Sequence, residues 1–169
     1  ADEIGIVAAG IDGAGRGFIL EDASGTYSPE GWGRKTVELY DRWGADRIVA
    51  ESNFGGAMVA STIRAVRRTA PVSLVNASRS KVLRFEPVAA LYEQGRIAHV
   101  GTLPALEDQM VAFTRGGYQG AGSPDRADAA VFALTDLLLG NEQPYDLMGA
   151  MGLTGEAPEA DPYGGYTLT

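Results

Sequence analysis

The eight residues from Asp46 to Asn53 constrain the fold of this chain more than any other segment. Ile48, Val49 and Ala50 form a short apolar run after a glycine that ends a helical pattern, which is typical of a buried parallel strand. Glu51 follows this run directly, at the strand end where ligands bind in open α/β sheets. It is therefore either a metal ligand or catalytic group, or a helix cap or solvated acid. The segment alone does not decide between them.

The composition indicates one globular domain that builds its own core. The chain has 169 residues, of which 45% are hydrophobic and 21% charged, which is ordinary for a globular protein. It has no cysteine, which excludes disulfides, zinc–thiolate sites and cysteine nucleophiles. No apolar run approaches the roughly 20 residues of a membrane span, and the start has no basic segment typical of a signal peptide. We therefore expect a cytoplasmic protein without membrane contact.

The charge pattern restricts the chemistry further. The net charge is −8, which argues against a protein that holds nucleic acid by bulk positive charge. A nuclease is still compatible with this charge, because its metal-binding carboxylates are themselves acidic. The only histidine, His99, lies in an expected strand without an obvious partner and is better interpreted as a half-buried strand residue than as a base. Metal ligands would then be oxygens, which favours Mg²⁺ or Mn²⁺ over zinc.

Strands and helices alternate along most of the chain, after an initial hairpin around a glycine-rich turn that contains Asp12. The pattern predicts an α/β domain over residues 1–140, with a mixed sheet flanked by helices. The last part, residues 141–169, is rich in glycine and proline and predicts a loosely ordered tail. The expected strands are 4–11, 18–21, 48–50, 71–75 and 96–100; the expected helices begin at Pro29, after Gly56, after Lys81, at Pro104 and after Ser123. Pro87 predicts a kink or a second helix start, and residues 115–122 predict a flexible loop.

Two further acids are candidates for the same site as Glu51. Asp125 and Asp128 stand three residues apart at the start of the last helix, so they share one face of it. Acids at a helix start also offset the helix dipole, and Asp125 suits that role better than Asp128 does. Phosphodiester cleavage by two divalent ions requires three or four converging carboxylates. These three acids supply part of such a site, although their spacing by itself is weak support.

Three groups of ordered motifs closely resemble the nuclease domain of the terminase large subunit, the DNA-packaging motor of tailed phages and gene-transfer-agent particles. The first group is Ser24-Gly25, Ser28-Pro-Glu-Gly-Trp32, Ile48-Val-Ala-Glu-Ser-Asn53, Gly55-Gly56, Met58 and Val59. The second is Ala77-Ser-Arg-Ser-Lys81, Arg84, Glu86 to Arg96 and His99-Val-Gly101. The third is Leu106-Glu-Asp-Gln-Met110, Ser123-Pro-Asp-Arg-Ala-Asp128 and Ala133-Leu134. The resemblance covers about residues 4 to 140.

The resemblance implies a ribonuclease-H-like fold and two-metal endonucleolytic cutting of concatemeric double-stranded DNA with Mg²⁺ or Mn²⁺. Glu51 resembles the family's second acidic ligand, and Asp128 the acid of the closing helix, with Asp125 beside it. Lys81 resembles a basic residue near the site, with a role in phosphate or charge stabilisation, although it is equally compatible with a solvated loop lysine. The partners implied are the terminase ATPase domain, the small terminase subunit and the portal, in the host cell cytoplasm.

The sequence departs from the family pattern in two respects. The family's first strand carries a metal-binding Asp upstream of the segment that begins at Asp2, so we expect that strand and ligand to be missing and cleavage to be impaired. No Walker A motif occurs, so the ATPase domain is absent. An alternative register makes Asp12 the first acid, as in a resolvase-like nuclease, although Asp12 fits a hairpin turn better. A third hypothesis is a DNA- or portal-docking module without catalysis, in which the acids diverge or pair with Arg79 or Arg126.

Overall fold

The structure, a computed structural model, describes residues 3–52, 55–77 and 79–140. The strands are β1 (Val7–Ile11), β2 (Gly17–Asp22), β3 (Ile48–Glu51), β4 (Val72–Val75), β5 (Ile97–His99), β6 (Phe113–Thr114) and β7 (Gly117–Tyr118). The helices are α1 (Pro29–Trp43), α2 (Gly56–Val66), α3 (Lys81–Glu93), α4 (Pro104–Val111) and α5 (Asp125–Leu138). The predicted tail, residues 141–169, lies outside the described residues, so the division into domain and tail stays a prediction. No described helix has the length and apolar character needed to cross a membrane.

The α/β class and the mixed sheet are confirmed, but the described strands form separate pieces. β1 pairs antiparallel with β2, and β2 pairs parallel with β5. β3 and β4 form a second, parallel sheet, while β6 and β7 form a small antiparallel hairpin. In the part of the chain that the structure describes, β1 and β3 each have one edge without a partner strand. The two larger sheets therefore share no hydrogen-bonded ladder.

Helix α5 packs against strands of both larger sheets, contacting β1, β2 and β3. Its inward face supplies Ala127, Ala130, Val131 and Leu134 to a core completed by β2, β5, α3 and α4. A separate cluster of Val37, Ile63 and Ala70 fills the space between α1, α2 and the β3–β4 sheet. The two larger sheets are therefore joined by helices that pack on both of them, and not by hydrogen bonds between their described strands.

The first helix follows its sequence signals closely. The Ser28 hydroxyl accepts a hydrogen bond from the Gly31 N–H at 3.1 Å, and Pro29 occupies the first helical position, as N-terminal capping predicts. Gly44 ends the helix in the left-handed conformation, with a φ of 56°, which glycine adopts without steric cost. The chain then enters β3.

Two local predictions fit the structure only in part, and packing explains both: no second helix begins at Pro87, and the predicted loop 115–122 contains strand β7. A single helix, α3, passes through Pro87 with no second start, because Phe85, Val88 and Leu91 bury one of its faces on either side of the proline. The segment predicted as a flexible loop begins inside the β6–β7 hairpin, where the Phe113 ring stacks on Phe85 at a centroid distance of 3.6 Å. The loop prediction rested on the glycine content of the segment, which does not reveal a stack between aromatic rings that are distant in sequence.

Candidate active site

Glu51 is the last residue of β3 and lies opposite Val75, the last residue of β4. The Ser52 N–H donates to the Val75 carbonyl at 2.9 Å, which keeps the two strands paired to their carboxyl ends. Glu51 is half-buried, and no described side chain forms an ion pair or a hydrogen bond with its carboxylate. A carboxylate in this state keeps both oxygens available for a ligand.

Asp128 lies in the first turn of α5 and is the one buried charged residue of the described chain, with 8% of its surface exposed. Both of its oxygens contact cations. Lys81 Nζ lies 2.6 Å from Oδ2, and Arg84 Nη2 lies 2.8 Å from Oδ1. Both cations come from the first turn of α3, so the start of α3 faces the start of α5. The charge of this acid is therefore more than neutralised by side chains.

Arg84 is the residue that sequence reasoning left without a role. Besides Asp128, it donates from Nη1 to the Arg79 carbonyl at 2.8 Å, and its guanidinium lies 5.0 Å from the centre of the Phe132 ring. Its Nε is buried and has no hydrogen-bond partner among the described residues. These contacts fix the guanidinium and tie the loop before α3 to α5. The sequence did contain a signal for this role. Arg84 follows Lys81 by three residues, so both side chains project from the same face of a helix.

Asp125 opens α5 and accepts a hydrogen bond from the Ser123 hydroxyl at 2.5 Å. The chain near Gly5 passes very close to this point, because a Cβ added at Gly5 would lie 2.0 Å from the Asp125 carbonyl oxygen. Only glycine permits such an approach of two backbones. The start of α5 is thus held against the amino-terminal segment.

Two further groups hold the start of α5, and the sequence did not reveal them. The Gln109 side-chain oxygen accepts from the Arg126 and Ala127 N–H groups at 3.0 and 3.1 Å, which caps α5 from α4. The Arg126 guanidinium donates to Asp22 at 2.7 Å and also pairs with Glu3. Burial opposes the charged form of Arg126, but these two carboxylates outweigh it and raise the pKa of Arg126. The helix that carries Asp128 is therefore fixed at its first turn.

Glu51 and Asp128 belong to elements that pack against each other, because α5 contacts β3. Arg47, just before β3, forms an ion pair of 2.6 Å with Asp136 in the second half of α5. From there, β3 extends about 13 Å to Glu51, and α5 extends about 12 Å back to Asp128. The loop from the end of β4, beside Glu51, also leads to Lys81, which contacts Asp128. The two acids therefore lie on packed elements, each about 12–13 Å along its own element from the same ion pair.

The three predicted acids do not, however, close into one cluster. Across residues 3–52, 55–77 and 79–140, no three Asp, Glu or His side chains lie close enough together to hold a metal ion. Asp128 is paired with cations, as the docking hypothesis expected, but the partners are Lys81 and Arg84, not Arg79 or Arg126. Sequence spacing does not predict these partners, since they lie 44 or more residues away from Asp128.

Asp12 belongs to the β1–β2 turn. Its carboxylate accepts from the Ala14 and Arg16 N–H groups, both at 2.9 Å, and from Arg16 Nε at 2.9 Å. The backbone hydrogen bond from Arg16 is the largest of the effects that lower the pKa of Asp12. Both oxygens are engaged in stabilising the turn, as the hairpin interpretation predicted. The resolvase-like register, which needs this acid in a common site with Glu51, therefore has no support.

His99 has partners that the sequence did not indicate. Its Nε2 lies 2.6 Å from the Tyr92 hydroxyl, and its Nδ1 lies 2.8 Å from Glu107 Oε1. Burial raises the pKa of Tyr92, with the nearby charge of Glu107 adding to the effect. The hydrogen bond with His99 lowers the pKa of Glu107. This network joins α3, β5 and α4, which supports the prediction of a half-buried structural histidine.

The donor set fits a hard divalent cation by its chemistry. The candidate ligands Glu51, Asp125 and Asp128 offer only carboxylate oxygens, the ligands that Mg²⁺ and Mn²⁺ prefer. Two of the three have no cationic partner among the described residues. Asp128 differs from them, because an ion that used its Oδ2 would have to replace the Lys81 ammonium.

Comparisons with known proteins identify the family and the fold of this chain. The model of the family described as "Terminase RNaseH-like domain" matches residues 1–137. No curated protein matches the chain. Two crystal structures of the large terminase nuclease from thermophilic phage G20c share its fold, one of them with bound cobalt. Both have a TM-score of 0.55 and cover 79% of this chain, at 17% and 18% sequence identity, with 81% and 82% of their own chains covered.

Proposed function

Because this chain belongs to the terminase RNaseH-like domain family, we propose that it is a metal-dependent endonuclease that cuts concatemeric double-stranded DNA during viral packaging. The family and the fold support a nuclease domain of a DNA-packaging terminase. The endonuclease proposal is supported by two acids on packed elements, Glu51 on β3 and Asp128 on α5, and by the contact of Lys81 with Asp128. Carboxylates that hold divalent ions support phosphodiester cleavage, and a nearby side-chain cation can stabilise charge on the phosphate.

In this proposal, Glu51, Asp125 and Asp128 hold two divalent ions, Mg²⁺ or Mn²⁺. The bound cobalt of the phage G20c nuclease supports a divalent ion in this fold. When bound, the ions would supply an activated water and stabilise the leaving oxygen. Arg84 orients Asp128 through its 2.8 Å contact, and Lys81 stabilises charge on the phosphate. Lys81 and the exposed Arg79 provide local positive charge for DNA in a chain whose net charge is −8.

The partners remain those that the family implies. Double-stranded DNA is the proposed substrate, and the terminase ATPase domain, the small terminase subunit and the portal are the proposed protein partners, all in the host cytoplasm. The chain itself carries no Walker A motif, so translocation of DNA has to come from a separate ATPase domain.

Nicking of supercoiled plasmid in Mg²⁺ or Mn²⁺ tests the proposal. We expect Glu51→Gln and Asp128→Asn to abolish nicking, because each removes a ligand charge with little change in volume. Glu93→Gln is the matched control, since Glu93 is exposed at the end of α3 and should leave nicking unchanged. Nicking that persists in both site variants would rule out the site assignment.

A DNA- or portal-docking module is the second candidate, and one observation favours it. Asp128 is ion-paired with Lys81 and Arg84, and no three described acids form a metal-binding group. This candidate predicts that the folded protein binds DNA or portal without nicking plasmid in either metal. A mobility-shift assay run beside the nicking assay separates the two functions, because only the nuclease converts the plasmid to relaxed circles.

A further inference from the structure

The charges around Asp128 do not match a free metal ligand. The Asp128 side chain is 11% exposed, and its carboxylate contacts two cations at 2.6 and 2.8 Å. The group of three side chains carries a net positive charge, which repels a divalent cation at short range. An ion can use this carboxylate only if one of the two cations leaves it.

The two cations differ in how firmly they are held. The Arg84 side chain is 14% exposed and is fixed by Asp128, the Arg79 carbonyl and the Phe132 ring. The Lys81 side chain is 42% exposed, and Asp128 is its one ion-pair partner among the described residues. A lysine is a flexible point charge that loses little by turning into water, whereas the planar guanidinium is held by several contacts at once. Lys81 is therefore the cation that can leave.

We propose that Lys81 occupies the Oδ2 atom of Asp128 in the ion-free protein and gives up this position when a divalent ion binds. The inference rests on the proposed function, because it assumes that Asp128 is a metal ligand. Arg84 stays on Oδ1 and keeps the buried carboxylate paired and oriented throughout the exchange. The released ammonium remains at the site and is free to contact a phosphate oxygen of DNA.

The exchange explains how an acid that should bind metal is stable without it. A buried carboxylate without a partner is strongly destabilising, and the Lys81 ammonium removes part of that cost while the site holds no ion. It also means that the ion competes with Lys81, so ion affinity is lower than the carboxylates alone would give. Lys81 is thus a positioning residue for the ion-free state as well as a contact for the phosphate.

Metal binding without DNA measures this competition. Titration calorimetry with Mn²⁺ should show binding up to about fivefold tighter in Lys81→Met than in the native chain, because the ion no longer has to replace an exposed ammonium. Lys81→Arg keeps the charge and should bind no tighter than the native chain. Lys35→Met is the matched control, since Lys35 is the other lysine of the chain and pairs with Glu38 on α1 at 3.3 Å; its affinity should be unchanged.

Displacement of the ammonium has a direct spectroscopic test, because the chain contains only two lysines. With ¹³C at lysine Cε, the folded protein gives two signals, and Lys81→Met identifies the one from Lys81. Saturating Mg²⁺ should move the Lys81 signal and leave that of Lys35 in place. In Asp128→Asn, whose fold is checked by circular dichroism, the Lys81 signal should start near the released position and not respond to Mg²⁺.

The outcomes separate this inference from the proposed function. Equal Mn²⁺ affinity in the native chain and Lys81→Met, or a Lys81 signal that stays fixed when Mg²⁺ binds, overturns the exchange even if plasmid is nicked. The exchange is also overturned if Lys81→Met binds no Mn²⁺ at all. If a divalent ion displaces Lys81 from Asp128 in a protein that never nicks plasmid, the inference is supported and the nuclease function is rejected.

Discussion

In the absence of metal, two of the proposed metal ligands should differ in how much stability the fold loses when each loses its charge. Asp128→Asn removes a carboxylate that contacts two cations, whereas Glu51→Gln removes one that no described side chain contacts. In the metal-free protein we therefore expect Asp128→Asn to destabilise the fold and Glu51→Gln to be close to neutral. The contrast is informative, because a conventional cluster of repelling acids would be stabilised by either change.

The magnitude follows from the exposure of each contact. The pair with Lys81, whose side chain is 42% exposed, contributes at most about 1 kcal/mol. The pair with Arg84, 14% exposed, is a buried charge-assisted hydrogen bond worth about 2–3 kcal/mol. Asn retains one acceptor for Arg84, so the loss should be about 2–4 kcal/mol in total. Glu51→Gln should stay within about 0.5 kcal/mol of the native chain.

Urea unfolding in EDTA, followed by circular dichroism, measures both values. The slope of the transition should be the same in all three proteins, so that the midpoint reports stability alone. When EDTA is replaced by free Mn²⁺ at about 100 times its dissociation constant, the native chain should be stabilised by about 2.7 kcal/mol and both variants should be unchanged. Equal stability of Asp128→Asn and Glu51→Gln in EDTA would refute the argument that cations hold Asp128.

Three further changes test other parts of the structure. Gly5→Ala should destabilise the fold by about 1–3 kcal/mol, because its Cβ would lie 2.0 Å from the Asp125 carbonyl oxygen; thermal unfolding measures the loss. Arg126→Met leaves the carboxylate of Asp22, 6% exposed, without this partner and should cost about 3 kcal/mol, with urea unfolding as the assay. The lowered pKa of Glu107 means that its contribution is complete above its ordinary value of 4.5 and is lost as the pH falls through the lower folded value. The stability difference between the native chain and Glu107→Gln should therefore shrink as the pH falls below 4.5, as urea unfolding at each pH would show.

Local signals predicted most elements of the fold, because capping and periodicity act over a few residues. The Ser28–Pro29 start and the Gly44 end of α1 are examples, as is the apolar run of β3. The fold class followed from the alternation of elements. The alternation did not predict that β1 and β3 would lack a common hydrogen-bonded ladder, because strand pairing depends on the whole chain and not on the strand's own residues.

The sequence predicted where the candidate site residues lie in their strand and helix, but it did not predict their contacts. The position of Glu51 at a strand end and of Asp128 at a helix start followed from spacing. The contacts of Asp128 with Lys81 and Arg84 did not, because they join α3 to α5 across the fold. The capping of α5 by Gln109 was hidden for the same reason, since the cap comes from another helix.

The interrupted ladder has a consequence for how the protein opens. Strands of one ladder exchange their amide hydrogens together, whereas units joined by side-chain packing can unfold separately. The described β3–β4 sheet shares no ladder with the β1–β2–β5 sheet, so we expect two cooperative units with different amide protection. Glu51 belongs to the unit with the β3–β4 sheet. Asp128 lies on α5, which packs mainly with the unit that contains the β1–β2–β5 sheet. A ligand that bridges the two acids would merge the units, raising amide protection on both sides of the boundary at once.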